Sequence, residues 1–234
     1  MKICLIIPLY NESNRLNPEY FKAISDMKID LIFVNDGSSD DTLVKLKNLS
    51  FRKHIITYKN NKGKGEAIRA GINYAINEKY DLIGYLDSDG AFSLESVIKI
   101  IKIAKKEFIT NNKLGLIIAA RVKLSGREII RTNGRKIVSQ IIKFILSLIL
   151  KNKPYDTQSG FKILRNTNNL KNITRNKFYT KWFFDVELIE GIKKEYFVYE
   201  IPVDRWVDVR GSKLSYKMVF KILREIKILV KLYR

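Results

Sequence analysis

Hydrophobic positions in the first half of the chain follow two alternating patterns. Short apolar runs at Ile3–Ile7, Leu31–Val34, His54–Tyr58, Leu82–Leu86 and Leu116–Ala120 are mostly β-branched or aromatic and are bounded by turn residues, which predicts strands. Between them, Glu19–Lys28, Asp41–Leu49, Gly65–Asn77 and Leu94–Phe108 carry apolar residues at helical spacing. This alternation predicts an α/β chain with a mostly parallel sheet covered by helices. Ligands of such sheets bind beyond the carboxyl ends of the strands, so the loops after strands are where chemistry is expected. No repeat or low-complexity tract interrupts the chain, and its four prolines mark no linker. A single domain over 1–234 is the expectation.

After about residue 122 the pattern changes. Ile137–Leu150 is almost entirely apolar, with Ser139, Gln140, Lys143 and Ser147 on one narrow stripe. It is too short to span a bilayer and reads either as a buried core helix or as an interfacial one. In Tyr216–Arg234, Val219, Ile222, Leu223, Ile226, Leu229, Val230 and Tyr233 form one helical face, with Lys217, Lys221, Arg224, Lys227, Lys231 and Arg234 opposite and beside it. Such a basic amphipathic helix suits a membrane surface or a partner helix. Its plainer reading is a terminal helix packed on the domain with a solvated basic face.

Charge narrows the possible partners. Lys and Arg number 44 against 24 Asp and Glu, a formal charge of +20, which points to nucleic acid, an acidic membrane surface or phosphorylated substrates. From Arg210 onward eight basic residues face Glu225 alone, so much of the excess sits in the last helix and its approach. One cysteine, Cys4, and one histidine, His54, exclude an intramolecular disulfide and a Cys/His metal site. The chain lacks a signal-peptide layout and an apolar run of roughly 18 residues, so the expected location is cytoplasmic, peripheral at the inner membrane face, without a transmembrane span.

Candidate chemistry lies in the predicted loops. Asp36 directly follows the second strand, where its carboxylate could accept hydrogen bonds from a base or ribose, and Asp40 or Ser39 is placed to cap the next helix. Asn60–Gly65, rich in Gly and Lys before a helix, suits an anion but lacks the Walker spacing. Asp87-Ser88-Asp89 ends the fourth strand, so two carboxylates two positions apart can approach one Mg²⁺ or Mn²⁺. Taken singly, each loop also reads as an ordinary turn.

Together, Pro8-Leu9-Tyr10-Asn11-Glu12, Asn35-Asp36-Gly37-Ser38, Asn61–Gly65 with Ala67 and Gly71, and Asp87-Ser88-Asp89 resemble the family-two glycosyltransferases. In the second half, Asp156–Lys162, Trp182–Glu187, Glu200-Ile201-Pro202-Val203, Trp206 and Gly211–Ser215 resemble the dolichyl-phosphate glucosyl- and mannosyltransferase branch, and the Asp156–Lys162 run is most similar to its β-glucosyltransferase side. The resemblance implies a GT-A type fold with a Rossmann-like sheet, amphipathic helices in the C-terminal half, a nucleotide-sugar-binding half over 1–121, an acceptor half over 122–215 and the basic helix 216–234. It implies a metal-dependent inverting transferase that moves a hexose, with glucose from UDP-glucose the first expectation, to a polyprenyl phosphate. By that similarity Pro8, Tyr10, Glu12, Asp36 and Lys64 line the nucleotide pocket with Asp87, Ser88 and Asp89, and Asp87 and Asp89 hold Mg²⁺ or Mn²⁺. Asp156, Gln158, Trp182 and Asp185 border the sugar and acceptor, with Arg121 also on the substrate. Two departures stand out: Asn35 replaces the first of two usual aspartates, leaving base preference open, and the membrane span of many relatives is missing.

Chemistry separates the possible acceptors. A hydroxyl needs a positioned base. A phosphate monoester already carries about −1.5 to −2 charge near pH 7 and needs cations to position it instead. Among Arg121, Arg131, Arg135, Arg205, Arg210 and Lys213, the favoured cations are Arg131 and Lys213, and Asp156 either orients the sugar or acts as base. The rival is a transferase of the same fold that acts on a glycan hydroxyl through Asp156 or Asp185. A second alternative is a non-enzymatic basic module that binds membrane or nucleic acid. The ordered carboxylate loops argue against nucleic acid, and the basic last helix favours docking on an anionic leaflet.

Overall fold

A computed structural model describes residues 1–131, 133–209 and 216–234; the side chains of 133–139 and 216–220 lie outside that description. The five predicted strands form as β1 (Ile3–Leu9), β2 (Asp30–Asn35), β3 (Lys53–Thr57), β4 (Leu82–Leu86) and β5 (Leu114–Ala120). Their partners are α1 (Pro18–Ser25), α2 (Thr42–Lys47), α3 (Lys64–Asn77) and α4 (Leu94–Thr110). The second half adds β6 (Glu128–Ile130), α5 (Asn133–Ile149), β7 (Phe161–Arg165), α6 (Asn168–Arg175), α7 (Phe184–Lys193), β8 (Phe197–Pro202), β9 (Arg205–Val207) and α8 (Tyr216–Tyr233). Helix α1 ends three residues before its predicted end because the chain turns at Lys28, whose φ is 58°. Helix α2 is likewise trimmed at both ends.

The main sheet has seven strands in the order β3-β2-β1-β4-β7-β5-β8, and β6 pairs with β9 in a small second sheet. Pairs β1–β2, β1–β4, β2–β3 and β5–β8 are parallel. Strand β7 runs antiparallel to both neighbours, β4 and β5. Strand order reverses at the β1–β4 junction: the chain first builds outward through β2 and β3, then α3 carries it back to place β4 on the other side of β1. That reversal opens a crevice at the carboxyl ends of β1 and β4.

Alternation along β1 divides the core. Ile3, Leu5, Ile7 and Leu9 join one buried cluster with Phe21, Ile24, Leu46 and Ile100 of the helices on that face. Cys4 and Ile6 point the other way, into a cluster with Ile68, Ile72, Leu188 and Ile192. Two buried faces explain why these strands read as unbroken apolar runs. Helix α3 lies close on the sheet because Gly71 has no Cβ; one added there would overlap the Ile6 side chain.

A third cluster holds the C-terminal helices. Ile142, Leu146, Ile149 and Leu150 of α5 pack with Phe183 and Val186 at α7 and with Ile222 and Leu229 of α8. The two readings of the α5 segment thus apply to different faces, since Ile141, Phe144 and Leu148 remain exposed on the other side. Helix α8 is packed, as its plainer reading had it, and Lys221, Arg224, Lys227, Lys231 and Arg234 remain exposed. It is also tied by its lone acid: Glu225 accepts the backbone N–H groups of Lys181 (3.1 Å), Trp182 (2.7 Å) and Phe183 (3.4 Å) at the entry to α7.

Replacement Glu225→Ala should therefore lower stability by about 1–2 kcal/mol, the value of a capping carboxylate. Amide exchange at residues 181–183 should accelerate selectively, as read by hydrogen–deuterium exchange; unchanged protection there would refute the tie.

Candidate active site

The loops after β1, β2 and β4 meet at the crevice, and backbone chemistry ties the first two together. Asn11, at φ 54°, donates its N–H to Ser38 Oγ (3.0 Å), and its side-chain oxygen accepts the Ser39 N–H (2.9 Å). Glu12 N–H reaches Thr42 Oγ1 (2.8 Å), and Ser13 N–H reaches Asp40 Oδ2 (3.1 Å). Asp40 also accepts the Thr42 N–H (3.0 Å) at the start of α2 while stapling the first loop; the N-cap itself is Asp41, whose side chain makes no cap bond. Asn35 accepts the Ser38 N–H (3.3 Å) and shapes the turn at Gly37. Gly37, at φ 72°, is required there: a Cβ would run into the backbone of Asn60 and Asn61. Asp36 is buried, and its two oxygens accept the N–H groups of Lys62 (2.8 Å) and Gly63 (2.7 Å). It therefore holds the loop before α3, and its remaining lone pairs are what a ligand could use. Pro8 is half-buried within β1, while Tyr10 is exposed at the rim.

Asp87, Ser88 and Asp89 lie at the end of β4, with Ser88 buried. Lys64, from the start of α3, places Nζ 2.5 Å from Asp87 Oδ1. Asp89 accepts the Ala91 N–H (3.0 Å). Burial and the neighbouring Asp87 charge raise the Asp89 carboxyl above its ordinary value. Burial likewise raises Glu12, and its Oε2 has no hydrogen-bond partner among the described residues despite the ion pair of Oε1 with Arg15. Hard oxygen donors under mutual repulsion, beside an unpartnered buried carboxylate oxygen, are a chemical environment that a divalent cation fits. Among the described residues no three His, Cys, Asp or Glu side chains converge to hold one unaided. An ion at Asp87 and Asp89 would thus need further oxygens from substrate or water.

The start of β7 closes the other side. The Gly160 carbonyl accepts the Asp87 N–H (2.9 Å), and a Cβ on Gly160 would overlap the Asp87 carboxylate. Two residues on, Lys162 is fully buried; its ammonium donates to Asp185 Oδ1 (2.7 Å) and to the Ser159 carbonyl (2.6 Å). Tyr85 O–H donates to the same Asp185 oxygen, and burial with that negative neighbour raises the phenol. Burial lowers the Lys162 ammonium despite Asp185.

Asp156 is equally engaged. Arg121 donates from its backbone N–H (2.9 Å), Nε (2.7 Å) and Nη2 (2.7 Å) to the carboxylate, and from Nη2 to the Gln158 carbonyl (2.9 Å). Glu200 holds the segment from beneath by accepting the N–H groups of Tyr155 (2.6 Å) and Asp156 (2.8 Å). Burial alone would raise the Asp156 carboxyl, but the Arg121 charge and hydrogen bonds keep it well below the usual carboxylate range. Arg121 and Arg131 both lie over the buried Trp206 ring, 5.0 and 5.9 Å from its centroid, and Arg131 Nη2 donates to the Arg121 carbonyl (3.1 Å).

Contacts join some of the sequence-predicted residues: Lys64 meets Asp87, and Arg121 meets Asp156, Gln158 and Arg131. Pro8 lies in β1, Tyr10, Glu12 and Asp36 lie on the loops after β1 and β2, Ser88 and Asp89 follow β4, and Asp185 is buried against Lys162 and Tyr85. Trp182 is 37% exposed and lies beside α8, its backbone N–H donating a hydrogen bond to Glu225. Lys213 lies outside the described residues. Glu187, the last residue of the Trp182–Glu187 motif, is buried and accepts the N–H groups of Tyr179 (2.9 Å) and Thr180 (2.7 Å). Sequence reasoning gave no role to Lys162, Gly160, Tyr85 or Glu200. A charge inside an otherwise apolar strand was the available signal for Lys162.

Comparison with known proteins bears on the family and the fold. The model of glycosyl transferase family 2 matches residues 4–188. Among curated relatives, the dolichyl-phosphate beta-glucosyltransferase of Saccharomyces cerevisiae is 32% identical, over 91% of this chain and 69% of its own length. That of Homo sapiens is 30% identical, over 91% and 69%. The chain thus spans about two thirds of these relatives. Among solved structures, a mannosyltransferase from Pyrobaculum calidifontis in complex with GDP-Man and Mn²⁺ superposes with a TM-score of 0.61 at 11% identity, covering 94% of this chain and 60% of that one. The glucosyl-3-phosphoglycerate synthase of Mycobacterium tuberculosis with Mn²⁺ and UDP gives 0.59 at 16%, covering 98% and 76%. These likenesses are of fold and establish the GT-A architecture.

The Arg121–Asp156 pair has a signature in stability. Since the Asp156 carboxyl sits lower in the folded chain than in the unfolded one, the pair stabilises fully above pH ~4 and loses that contribution as pH falls further. Arg121→Met strands a buried carboxylate, so urea melts at pH 7 should show a loss of about 3–5 kcal/mol. The fall in stability below pH ~4 should shrink in parallel; a variant with the wild-type acid profile would contradict the pairing.

Proposed function

The chain belongs to glycosyl transferase family 2, and on that premise we propose that it moves a glucosyl unit from UDP-glucose to a polyprenyl phosphate, with inversion, at the cytoplasmic face of a membrane. Relatives at 30–32% identity over nine-tenths of the chain, named as dolichyl-phosphate beta-glucosyltransferases, support both the sugar and the acceptor class. One observation favours this acceptor over a glycan hydroxyl. Both second-half carboxylates that a hydroxyl would need as base are engaged, Asp156 by Arg121 and Asp185 by Lys162 and Tyr85. A phosphate oxygen arrives already ionised and needs neither.

The roles of the residues follow. Asp36 and the β1 and β2 loops hold the nucleoside end of the donor. Asp87 and Asp89 are the residues that would hold Mg²⁺ or Mn²⁺, which when bound would neutralise charge on the diphosphate. Lys64 adds a fixed positive charge at the same place. Arg131, placed by Trp206 and the Arg121 carbonyl, orients the acceptor phosphate together with Lys213. One acceptor oxygen attacks the anomeric carbon, the bond from that carbon to the diphosphate oxygen breaks, and UDP leaves with the electron pair; no proton need move. Asp156 orients Arg121, and Asp185 fixes Lys162 beneath the sugar.

Membrane attachment is part of the proposal. No helix among the described residues is long and apolar enough to cross a bilayer. The basic face of α8 and the exposed apolar residues of α5 support docking on an anionic leaflet. Nucleic acid is not a partner in this reading.

Incubation with radiolabelled UDP-glucose, polyprenyl phosphate and Mn²⁺ should yield an organic-extractable glucosyl lipid; its absence would sink the proposal. Activity should vanish in EDTA and in Asp89→Ala. Gly160→Ala, which pushes the Asp87 carboxylate aside, should weaken Mn²⁺ affinity by about 10–100-fold, measured by paramagnetic resonance.

A further inference from the structure

Helix α5 combines two features that the donor site does not use. Its outer face is open and apolar, with Ile141, Phe144 and Leu148 at 53%, 64% and 61% exposure. At about 100° per residue, Lys143 falls on the border between that face and the buried one formed by Ile142, Leu146, Ile149 and Leu150. The Lys143 ammonium lies over the Tyr155 ring, 3.7 Å from its centroid. Tyr155 precedes Asp156, so this cation stands at the Arg121–Arg131 wall of the crevice.

Charge around Lys143 is unbalanced. Arg121, Arg131 and Lys153 all act on it, and burial together with these three charges outweighs Asp156 and pushes its ammonium down to about 8. Asp156 gives both oxygens to Arg121. Among the described residues no carboxylate lies within ion-pair distance of Lys143. A cation depressed by its neighbours and beside a committed carboxylate gains from an incoming dianion.

We propose that Lys143 binds the acceptor phosphate beside Arg131, while the exposed apolar face of the same helix takes the adjoining hydrocarbon chain. The inference rests on the polyprenyl-phosphate reading and adds to it a residue and a helix. Free phosphate or a sugar phosphate would use the cation and leave Ile141, Phe144 and Leu148 bare. A phosphate monoester with an apolar tail uses both.

Calorimetric titration of the full chain with citronellyl phosphate, inorganic phosphate and citronellol, each in the presence of UDP and Mn²⁺, tests this. Wild type should bind citronellyl phosphate more tightly than either of the others. Lys143→Met, which keeps the apolar stem, should weaken citronellyl phosphate by roughly tenfold to a hundredfold. Citronellol and UDP affinities should stay unchanged, the latter certifying a folded donor site, and Lys143→Arg should restore most of the loss. Should Lys143→Met fail to fold, Lys143→Gln provides the same comparison. Equal citronellyl phosphate affinity in wild type and variant would overturn the inference, as would a wild-type preference for inorganic phosphate. Binding through Lys143 without any glucosyl lipid product would leave this site standing and remove the proposed reaction. Lipid product with an unchanged acceptor KM in Lys143→Met would do the reverse.

Discussion

One backbone hydrogen bond joins the two halves of the proposed site. The Asp87 N–H donates to the Gly160 carbonyl where β4 ends and β7 begins. On one side lie the β1, β2 and β4 loops, the donor side of the proposed site; on the other lies the wall that carries Arg121, Asp156 and Asp185. The junction admits no side chain at residue 160, so the carboxylate on one side and the peptide on the other keep a fixed separation. Geometry at the proposed site is thereby set by sheet pairing instead of by loops alone, which suits a reaction that depends on orientation.

Behind the junction the wall is built from committed charges. Lys162 with Asp185, and Arg121 with Asp156, are buried pairs supported further: Tyr85 donates to Asp185, the Ser159 carbonyl accepts from Lys162, and Glu200 accepts the Asp156 N–H. Such pairs seldom add much net stability, because desolvation offsets attraction. What they do here is hold side chains and segments in one arrangement. Arg121 is aimed by Asp156, Asp156 by the Glu200 carboxylate under its backbone, and Arg131 by the Trp206 face and the Arg121 carbonyl. The proposed site thus has an acidic side at Asp87 and Asp89, which would seek a cation, and a basic side at Arg121, Arg131 and Lys143, which would seek an anion.

Much of this was legible in the residues alone. Strands β1 to β5 were readable because both faces of a parallel sheet are buried, and the loop motifs because parallel strands bring their carboxyl ends to one edge. Strand β7 was not read as a strand: Lys162 breaks its apolar run, and only the fold reveals that Asp185 and Ser159 satisfy that charge. The same blindness hid Glu187, whose partners are backbone amides that no side-chain pattern encodes. Helix α5 left two readings open, because periodicity does not distinguish an apolar face that is covered from one that is not. Lys143 reads as a polar interruption on that helix; its proposed role rests on its placement over Tyr155, near the two arginines that the sequence already singled out.

The strand order also bears on how the chain is made. Strand β5 leaves the ribosome before β7, yet in the finished sheet β7 lies between β4 and β5. A nascent chain that has produced residues 1–120 therefore has β4 and β5 with unsatisfied edges and no partner that is native between them. Any pairing of those two strands with each other would have to be undone. The slot stays empty until residue 165 is synthesised, and the pairing that fills it also sets Gly160 against Asp87. Closure of the gap between β4 and β5 and formation of the Asp87–Gly160 contact are consequently one event in the vectorial assembly of this chain, with β8 added at the edge afterwards, and a product truncated before β7 would lack both.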